Sequence, residues 1–596
     1  MRTRKISILL FALLGTMNLT AETLKINGIY YSIGTTTAQV VSDQSSDKTT
    51  YTGLTEVTIP ASVTYNGYTY PVTSLGTSAF EGCTNLQSVV LPTSVTTIGT
   101  DAFYGCNKLG RINLEEGLTA INLRAFHNCN LDTIVIPSTV TSIGNAAFRG
   151  CPVKAVTWLP ANCSIGTDDS APFYSTNSQI TSFVFGSQVQ TIPAYLCKNM
   201  SRLDTIVLPP SVRSLGQCAF MGCTSLKSIN LPVTQKTLPV SFLEGCTALE
   251  NIELPITLTT ISTDAFYGCS SLKNVHLHEG LTTINQRAFY NCKFDTIVIP
   301  STVTSIGNAA FKSCPVKAVT WLPANCSTGT GDSAPFYSTN SQITSFVFGD
   351  SVQTIPAYLC KNMSRLDSVL IPASVTSIGT YAFASCTKIK RFAFPEGIKT
   401  LATSVLEGCS ALEEVNIPAS VTTINQDAFY GCAQLNAIHN YAITPQTITE
   451  RTVHNVNKHT CILYVPIDYI NLYRAKAIWC DFDNIIGVAT DLQFEDQTVS
   501  VSYLKADSTL HYMEAQTWAV PHEPYFEGFT FVGWQVQQGM LADGIVLVAV
   551  YQSNNPTNTP ETVVNPTDKT RKLIRQGNVY ILQDDKLYSI SGQLVK

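Results

Sequence analysis

The sequence predicts a β-rich solenoid of about sixteen turns followed by smaller β structure, and three observations predict it. One apolar pattern recurs at a period near 23. Its anchor falls on Phe80, Phe103, Phe126, Phe148, Phe173, Cys197, Phe220, Leu243, Phe266, Phe289, Phe311, Phe336, Cys360, Phe383, Leu406 and Phe429, in steps of 22 to 25 residues. A longer period lies over it: Phe103, Phe266 and Phe429 are 163 residues apart, and residues 131–204 return almost unchanged at 294–367. Finally, no single turn can bury its six apolar side chains, whereas stacked turns lay each Leu, Ile and Phe on its counterpart next door.

Taken in order, residues 1–21 read as a signal peptide. Arg2, Arg4 and Lys5 precede an apolar run at 6–14, and Ala21 offers a small residue for cleavage. Residues 22–75 precede the turns, with aromatic and apolar stretches around Tyr30–Tyr31 and Val63–Tyr68. The turns occupy 76–435. In the turn from Cys83 to Phe103, Val89 and Leu91 alternate with polar neighbours, as in a strand with one buried face. Pro92 cannot donate to a ladder and closes that strand. Val95 and Ile98 form a second extended piece, Gly99 permits the turn after it, and Ala-Phe-x-Gly-Cys drops two side chains inward. At ~4.8 Å per rung, sixteen turns make a rod of roughly 75 Å. Residues 436–490 close it, with a short helix expected over 468–479 to cover the last open edge. Residues 491–552 break the period with aromatic-rich strands, 553–570 form an extended linker, and 571–596 read as a β-hairpin turning near Asp584–Asp585.

These residues carry resemblances. The pattern L-x-x-I-x-[IL]-P-x-x-V-T-x-I-G-x-x-A-F-x-G-C resembles the BspA-type leucine-rich repeat of bacterial surface proteins. Residues 22–75 and 436–490 are similar to that family's terminal caps. Pro524…Gly528-Phe529-Thr530-Phe531…Gly533-Trp534 resembles the small β-grasp repeat of listerial internalin B, with Trp534 as its core residue, and 571–596 resembles the C-terminal sorting tail of type IX secretion in Bacteroidetes. The resemblance implies an exported protein at the cell surface or outer membrane. Its partners would be host matrix or plasma proteins such as fibronectin and fibrinogen, glycans, or other cells.

Composition excludes several alternatives. Charged residues make up 13% of the chain, about half the usual ~25%. A net charge of −5 leaves no basic stripe for nucleic acid. No stretch after the N-terminus reaches the ~18 apolar residues of a membrane helix. The recurring DAFYGC at 101–106, 264–269 and 427–432 invites an active-site reading, but twelve of the nineteen cysteines share its ladder position. One Cys per rung cannot form the Cys-x-x-Cys clusters of zinc sites, and parallel Cβ vectors keep successive sulfurs apart. Met200 and Met363 take the same slot, so it reads as a place for a soft apolar group. Cys461 and Cys480 form the one pair whose context suggests a disulfide. His276 and His278 stand where Asn113 and Glu115 stand one block earlier, as at an exposed strand end. With no nucleophile elbow, P-loop, dinucleotide fingerprint or zincin motif, no catalytic residue, cofactor or metal site is expected.

Function is then sought on outward faces. The expected rows pair Ser88 with Val90, Thr133 with Val135 and Ser182 with Val184. The candidate binding residues are Arg111, Asn113, Asn230, Asn251, Glu253, Asn274, His276 and Arg391. Trp158 and Trp321 join them, from inserts at 158–177 and 321–340 placed about seven rungs apart, which makes bivalent engagement of one extended partner conceivable. The expected function is binding by an adhesin-like solenoid. The alternative is a non-catalytic spacer or glycan-associated protein holding the C-terminal β domain away from the membrane. Neither ligand nor oligomeric state is legible.

Overall fold

The structure is a computed structural model that describes residues 22–42 and 51–488, and beyond them the backbone of strands between 495 and 595. The expected signal peptide and the 554–570 part of the linker lie outside the described residues. Two compact units are present: 1–465 with 469–486, and 466–468 with 487–596.

The first unit is a solenoid whose turns meet along three columns, two of them made of short parallel sheets that break and resume along the axis. One column is the strand closed by proline. Ser88–Val90 pairs in parallel with Glu56–Thr58 and Arg111–Ile112, and Thr133–Ile136 with Ala155–Trp158, which in turn pairs with Ser182–Phe185. A second column is the short Thr-Ile piece: Tyr68–Leu75, Thr97–Ile98, Ala120–Ile121, Ser142–Ile143 and Ser164–Ile165 follow one another. The third is the DAFYGC segment and its equivalents. Asp101, Phe103 and Gly105 donate their N–H groups to the carbonyls of Leu123, Ala125 and His127 at 2.8–2.9 Å. Thus the backbone groups of a coil with little regular secondary structure are still paired.

Along the axis the anchor rings stack. Phe80, Phe103, Phe126, Phe148 and Phe173 follow at 5.2–5.4 Å between centroids and 4–12° between planes. Phe266, Phe289, Phe311 and Phe336 repeat the arrangement in the second block. Tyr51 sits 5.1 Å from Phe80 at the first end of this stack. A seventeenth rung, anchored by buried Val453, accepts the N–H groups of Phe429 and Gly431 through Thr452 and His454. The sequence pattern stops at Phe429 because Val453 keeps the packing role without the aromatic letter.

Two glycines per turn have different reasons. At Gly99 the backbone φ is ordinary, but a Cβ would lie 2.6 Å from the carbonyl of Gly76 on the previous turn; at Gly307 it would lie 2.3 Å from the N of Gln286. The glycine of this Ile-Gly pair is therefore required by close approach, not by the turn it permits. The glycine of DAFYGC, by contrast, has φ between 71° and 77° in all three copies. The anchor-minus-two residue is also left-handed in fourteen of the sixteen turns, including Asp101, Asp264 and Asp427 at φ 56–61°.

At the far end, Ile470–Ala475 forms the expected helix, flanked by the 3-10 turns Ile467–Tyr469 and Trp479–Asp481. The Tyr473 hydroxyl donates to the carbonyl of Ala442 at 2.7 Å and the Trp479 indole N–H to that of Gln446 at 2.8 Å. The second unit contains antiparallel strands. Glu495–Val499 pairs with Gln516–Val520, and Phe529–Val536 pairs with Gly544–Ser553 across an irregularity between Phe531 and Gly533. Gly544–Ser553 also pairs with Arg571–Arg575, so the C-terminal strands continue the same sheet through Asn578–Gln583, Lys586–Ser589 and Leu594–Val595.

Candidate functional site

The cysteine ladder is core. Eighteen of the nineteen cysteines are buried, all nineteen are free thiols, and only Cys480 is exposed. Beyond Cys83 in the first turn, each ladder thiol donates to the carbonyl of the anchor residue on the preceding turn: Cys106 to Phe80 at 3.0 Å, Cys269 to Leu243 at 3.1 Å, Cys432 to Leu406 at 3.3 Å. Burial pushes the pKa of Cys223, Cys269 and Cys409 up to about 12, the opposite of what a nucleophile needs. The expected Cys461–Cys480 disulfide is not formed: Cys461 is enclosed beneath the closing segment while Cys480 faces solvent. Among the described residues no group of three or more His, Cys, Asp or Glu could hold a metal ion.

The remaining letters of DAFYGC build a clamp that sequence reasoning missed. Asp101 receives Arg124 Nε at 2.8 Å and Nη2 at 2.7 Å. Asp264 receives Arg287 in the same way, and Asp427 receives Arg451 at 2.8 and 2.9 Å. Each guanidinium also lies over the tyrosine of the motif, at 5.4, 5.5 and 5.7 Å for Tyr104, Tyr267 and Tyr430. Hydrogen bonding to Asp264 holds the pKa of Arg287 above its ordinary value. The signal was available: an arginine follows each motif aspartate by 23 or 24 residues.

The candidate surface residues divide. Arg111, Asn113, Asn230, Asn251, Glu253, Asn274, His276 and Arg391 are all exposed, at or beside strands of the proline-closed column. Several are occupied. Arg111 reaches Glu56 at 3.4 Å, and Asn274 donates to Asn251 at 2.7 Å. Asn230 exchanges two hydrogen bonds with the backbone of Leu208, extending the ladder with its own amide. Trp158 and Trp321 are corrected: both are completely buried against Phe183 and Phe346, since each ends the inward row of its strand, and neither can line a surface. The expectation that His278 is exposed is also corrected; it is buried with Nδ1 against the carbonyl of Glu279 at 2.8 Å, while His276 faces out.

The outward row of this column carries apolar residues in two matching stretches. Val135, Val184 and Val207 are 52%, 55% and 68% exposed, and Val298, Val347 and Leu370 are 51%, 53% and 70% exposed. Thr157 and Thr320 complete the two rows, which are related by the 163-residue duplication. Scattered surface valines are ordinary, but rows on neighbouring rungs are contiguous.

A model of the "BspA type Leucine rich repeat region" matches residues 73–202, 190–317 and 332–458. The chain belongs to the BspA-type leucine-rich repeat family. Solved structures resemble it as well. A leucine-rich repeat protein from Bacteroides ovatus is 24% identical, with 74% of this chain and 99% of that chain covered and a TM-score of 0.43. A leucine-rich cell surface protein from Faecalibacterium prausnitzii is 20% identical over 74% of this chain and 94% of that one, with a TM-score of 0.28. One from Bacteroides capillosus is 34% identical over 23% of this chain and 97% of that one, at 0.20. None of the curated proteins matches the sequence. The BspA-type match covers the turns rather than the second unit, and no helix among the described residues is long and apolar enough to cross a membrane.

Proposed function

We propose that this chain is a secreted, cell-surface, adhesin-like protein without catalytic activity, which presents its solenoid to host matrix or plasma proteins or to other cells. The observation that carries the reading is the pair of exposed apolar stripes, Val135–Thr157–Val184–Val207 and Val298–Thr320–Val347–Leu370. Burying a half-exposed Val contributes about 1 kcal/mol, so a stripe of three contributes about 3 kcal/mol before association costs. Seven rungs separate equivalent residues, roughly 34 Å at ~4.8 Å each, so one extended partner can engage both stripes. Arg111, Asn113, Asn230, Asn251, Glu253, Asn274, His276 and Arg391 supply the polar rim of the same face. The N-terminal segment serves as the export signal, 491–552 as a small β-grasp-like module, and 571–596 as the sorting tail.

The test is saturable binding of the mature chain to immobilised matrix proteins, plasma proteins, mucins and glycans, compared with a Val207→Asp/Leu370→Asp variant. Binding by the parent and at least tenfold loss in the variant support the reading. Binding to none of these surfaces removes it, and binding that survives both charges transfers the activity to another face or to the second unit, as a spacer role requires.

A further inference from the structure

The two copies of the duplicated block differ at seven of 74 positions, counting 131–204 against 294–367: Leu131/Phe294, Arg149/Lys312, Gly150/Ser313, Ile165/Thr328, Asp168/Gly331, Ser187/Asp350 and Gln188/Ser351. One difference changes the chemistry of a surface hollow. In the first copy a shallow hollow, open to solvent, is lined by Asp168, Phe173, Tyr174, Asn177, Tyr195 and Lys198. Asp168 takes the Lys198 ammonium as an ion pair. Burial works against that ammonium, but Asp168 outweighs it and holds the pKa of Lys198 above its ordinary value. The charge is therefore used up within the protein.

In the second copy the acid is gone. Gly331 stands where Asp168 stands, and among the described residues no carboxylate forms an ion pair with Lys361. Asp332, next to Gly331, acts instead on Tyr337, whose phenol it holds above its ordinary pKa. Just beyond the block, Tyr381 replaces Cys218 and stacks on Tyr358 at 4.9 Å and 21°. The Lys361 ammonium lies 5.2 and 4.7 Å from the two ring centroids, and all three side chains are half-exposed. The Asn340 amide donates to the carbonyl of Lys361 at 2.6 Å and fixes its backbone.

We propose that the surface patch of Lys361, Tyr358 and Tyr381 in the second copy binds the carboxylate-bearing ring of an acidic saccharide, a uronate or a sialate. The carboxylate meets the Lys361 ammonium, and the C–H face of the pyranose lies against an outer ring face of the Tyr358–Tyr381 stack. A partly desolvated ammonium makes a stronger charge-assisted hydrogen bond than one in bulk water. The aromatic surface rewards a ring that carries C–H groups on one face, which an acidic peptide side chain does not offer. The first hollow has the same scaffold but an internal carboxylate in the ligand's place, so it does not bind. This site lies in the DAFYGC column and is independent of the apolar stripes.

The duplication supplies its own control. Gly331 has φ +57° with nothing within 4 Å of where a Cβ would lie, and Asp168 holds φ +51° in the first copy, so Gly331→Asp introduces the acid into a backbone conformation that an aspartate already adopts. Saturation-transfer NMR and calorimetry on the mature full chain would use a galacturonate oligosaccharide, 3′-sialyllactose and neutral lactose. We expect one site for an acidic sugar, weakening with salt, and no comparable site for lactose. Gly331→Asp and Lys361→Met should each weaken binding at least tenfold. Asp168→Gly/Cys218→Tyr should raise the stoichiometry from one to two. The proposal is overturned by no acidic sugar binding, by equal binding of lactose or of an acidic pentapeptide, by retained affinity in Gly331→Asp, or by an unchanged stoichiometry in the double variant. The uronate and sialate arms assign the sugar class.

Discussion

Replacing Cys480 by serine should remove the one fast-reacting thiol of the native protein. The other eighteen cysteines are buried, and the pKa of Cys223, Cys269, Cys314 and Cys409 is pushed up to about 12 by burial. An ordinary thiol with a pKa of ~8.5 is about one-quarter thiolate at pH 8, whereas one at about 12 is ~10⁻⁴ thiolate. Ionisation alone thus slows these four by about three orders of magnitude, and every buried thiol must also wait for its turn to open. The assay is titration with an aromatic disulfide reagent at pH 8 without reductant, first native and then in denaturant. The parent should show one fast thiol and nineteen in total; Cys480→Ser should show none and eighteen. Several fast native thiols would refute the packed ladder, and fewer than nineteen on denaturation would reveal a disulfide and restore the Cys461–Cys480 pairing.

Three further outcomes follow from the same geometry. Because the folded pKa of ladder thiols such as Cys223, Cys269, Cys314 and Cys409 is raised, their contribution is intact below the unfolded value of ~8.5 and is lost as pH rises from there toward about 12. A cooperative unit of four turns carrying four such thiols should lose about 5 kcal/mol per pH unit in that window, at about 1.4 kcal/mol each; circular dichroism should show alkaline unfolding that Cys→Ala substitutions flatten. Arg287→Met keeps the aliphatic stem but removes the two bonds to Asp264 and the contact with Tyr267. Most of the guanidinium is solvated, so the loss should be about 1 kcal/mol, smaller in high salt, read from denaturant melts. Gly268→Asn should be nearly neutral, since Asn128, Asn199, Asn291 and Asn362 hold the equivalent left-handed position. Gly307→Ala should cost more than about 2 kcal/mol because its Cβ meets backbone of the preceding turn; equal melting midpoints would contradict the distinction between the two glycines.

The repeat was legible because its letters are inward. Phe80, Val89, Ile98 and Cys106 each face the same position of a neighbouring turn, so burial forces the same kind of residue every 23 positions. What faces outward carries no such repetition, and there reading by analogy between turns failed. Trp158 looked like an addition to the surface because an insert follows it, yet strand alternation places it inward beside Phe183. The left-handed backbone at Asp101 was hidden because Arg124, Ala146, Tyr195 and Cys218 occupy the same conformation, so no glycine marked it. Val453 kept the packing and lost the letter, and the last rung went uncounted.

A recent duplication reverses the usual weighting of sequence signals. Across two nearly identical blocks, identity reports common origin and carries little information about use, whereas the few differences report where the copies have parted. Arg149 to Lys312 keeps its charge, and Gly150 to Ser313, Ser187 to Asp350 and Gln188 to Ser351 fall at turns. Asp168 to Gly331 is different in kind, because it deletes a charge whose partner, the lysine, is retained. A lysine held half-exposed against two aromatic rings without a carboxylate keeps its ammonium available to an outside anion. That asymmetry makes the Lys361 patch, rather than the threefold DAFYGC motif, the place where a change of one residue should alter what the protein binds.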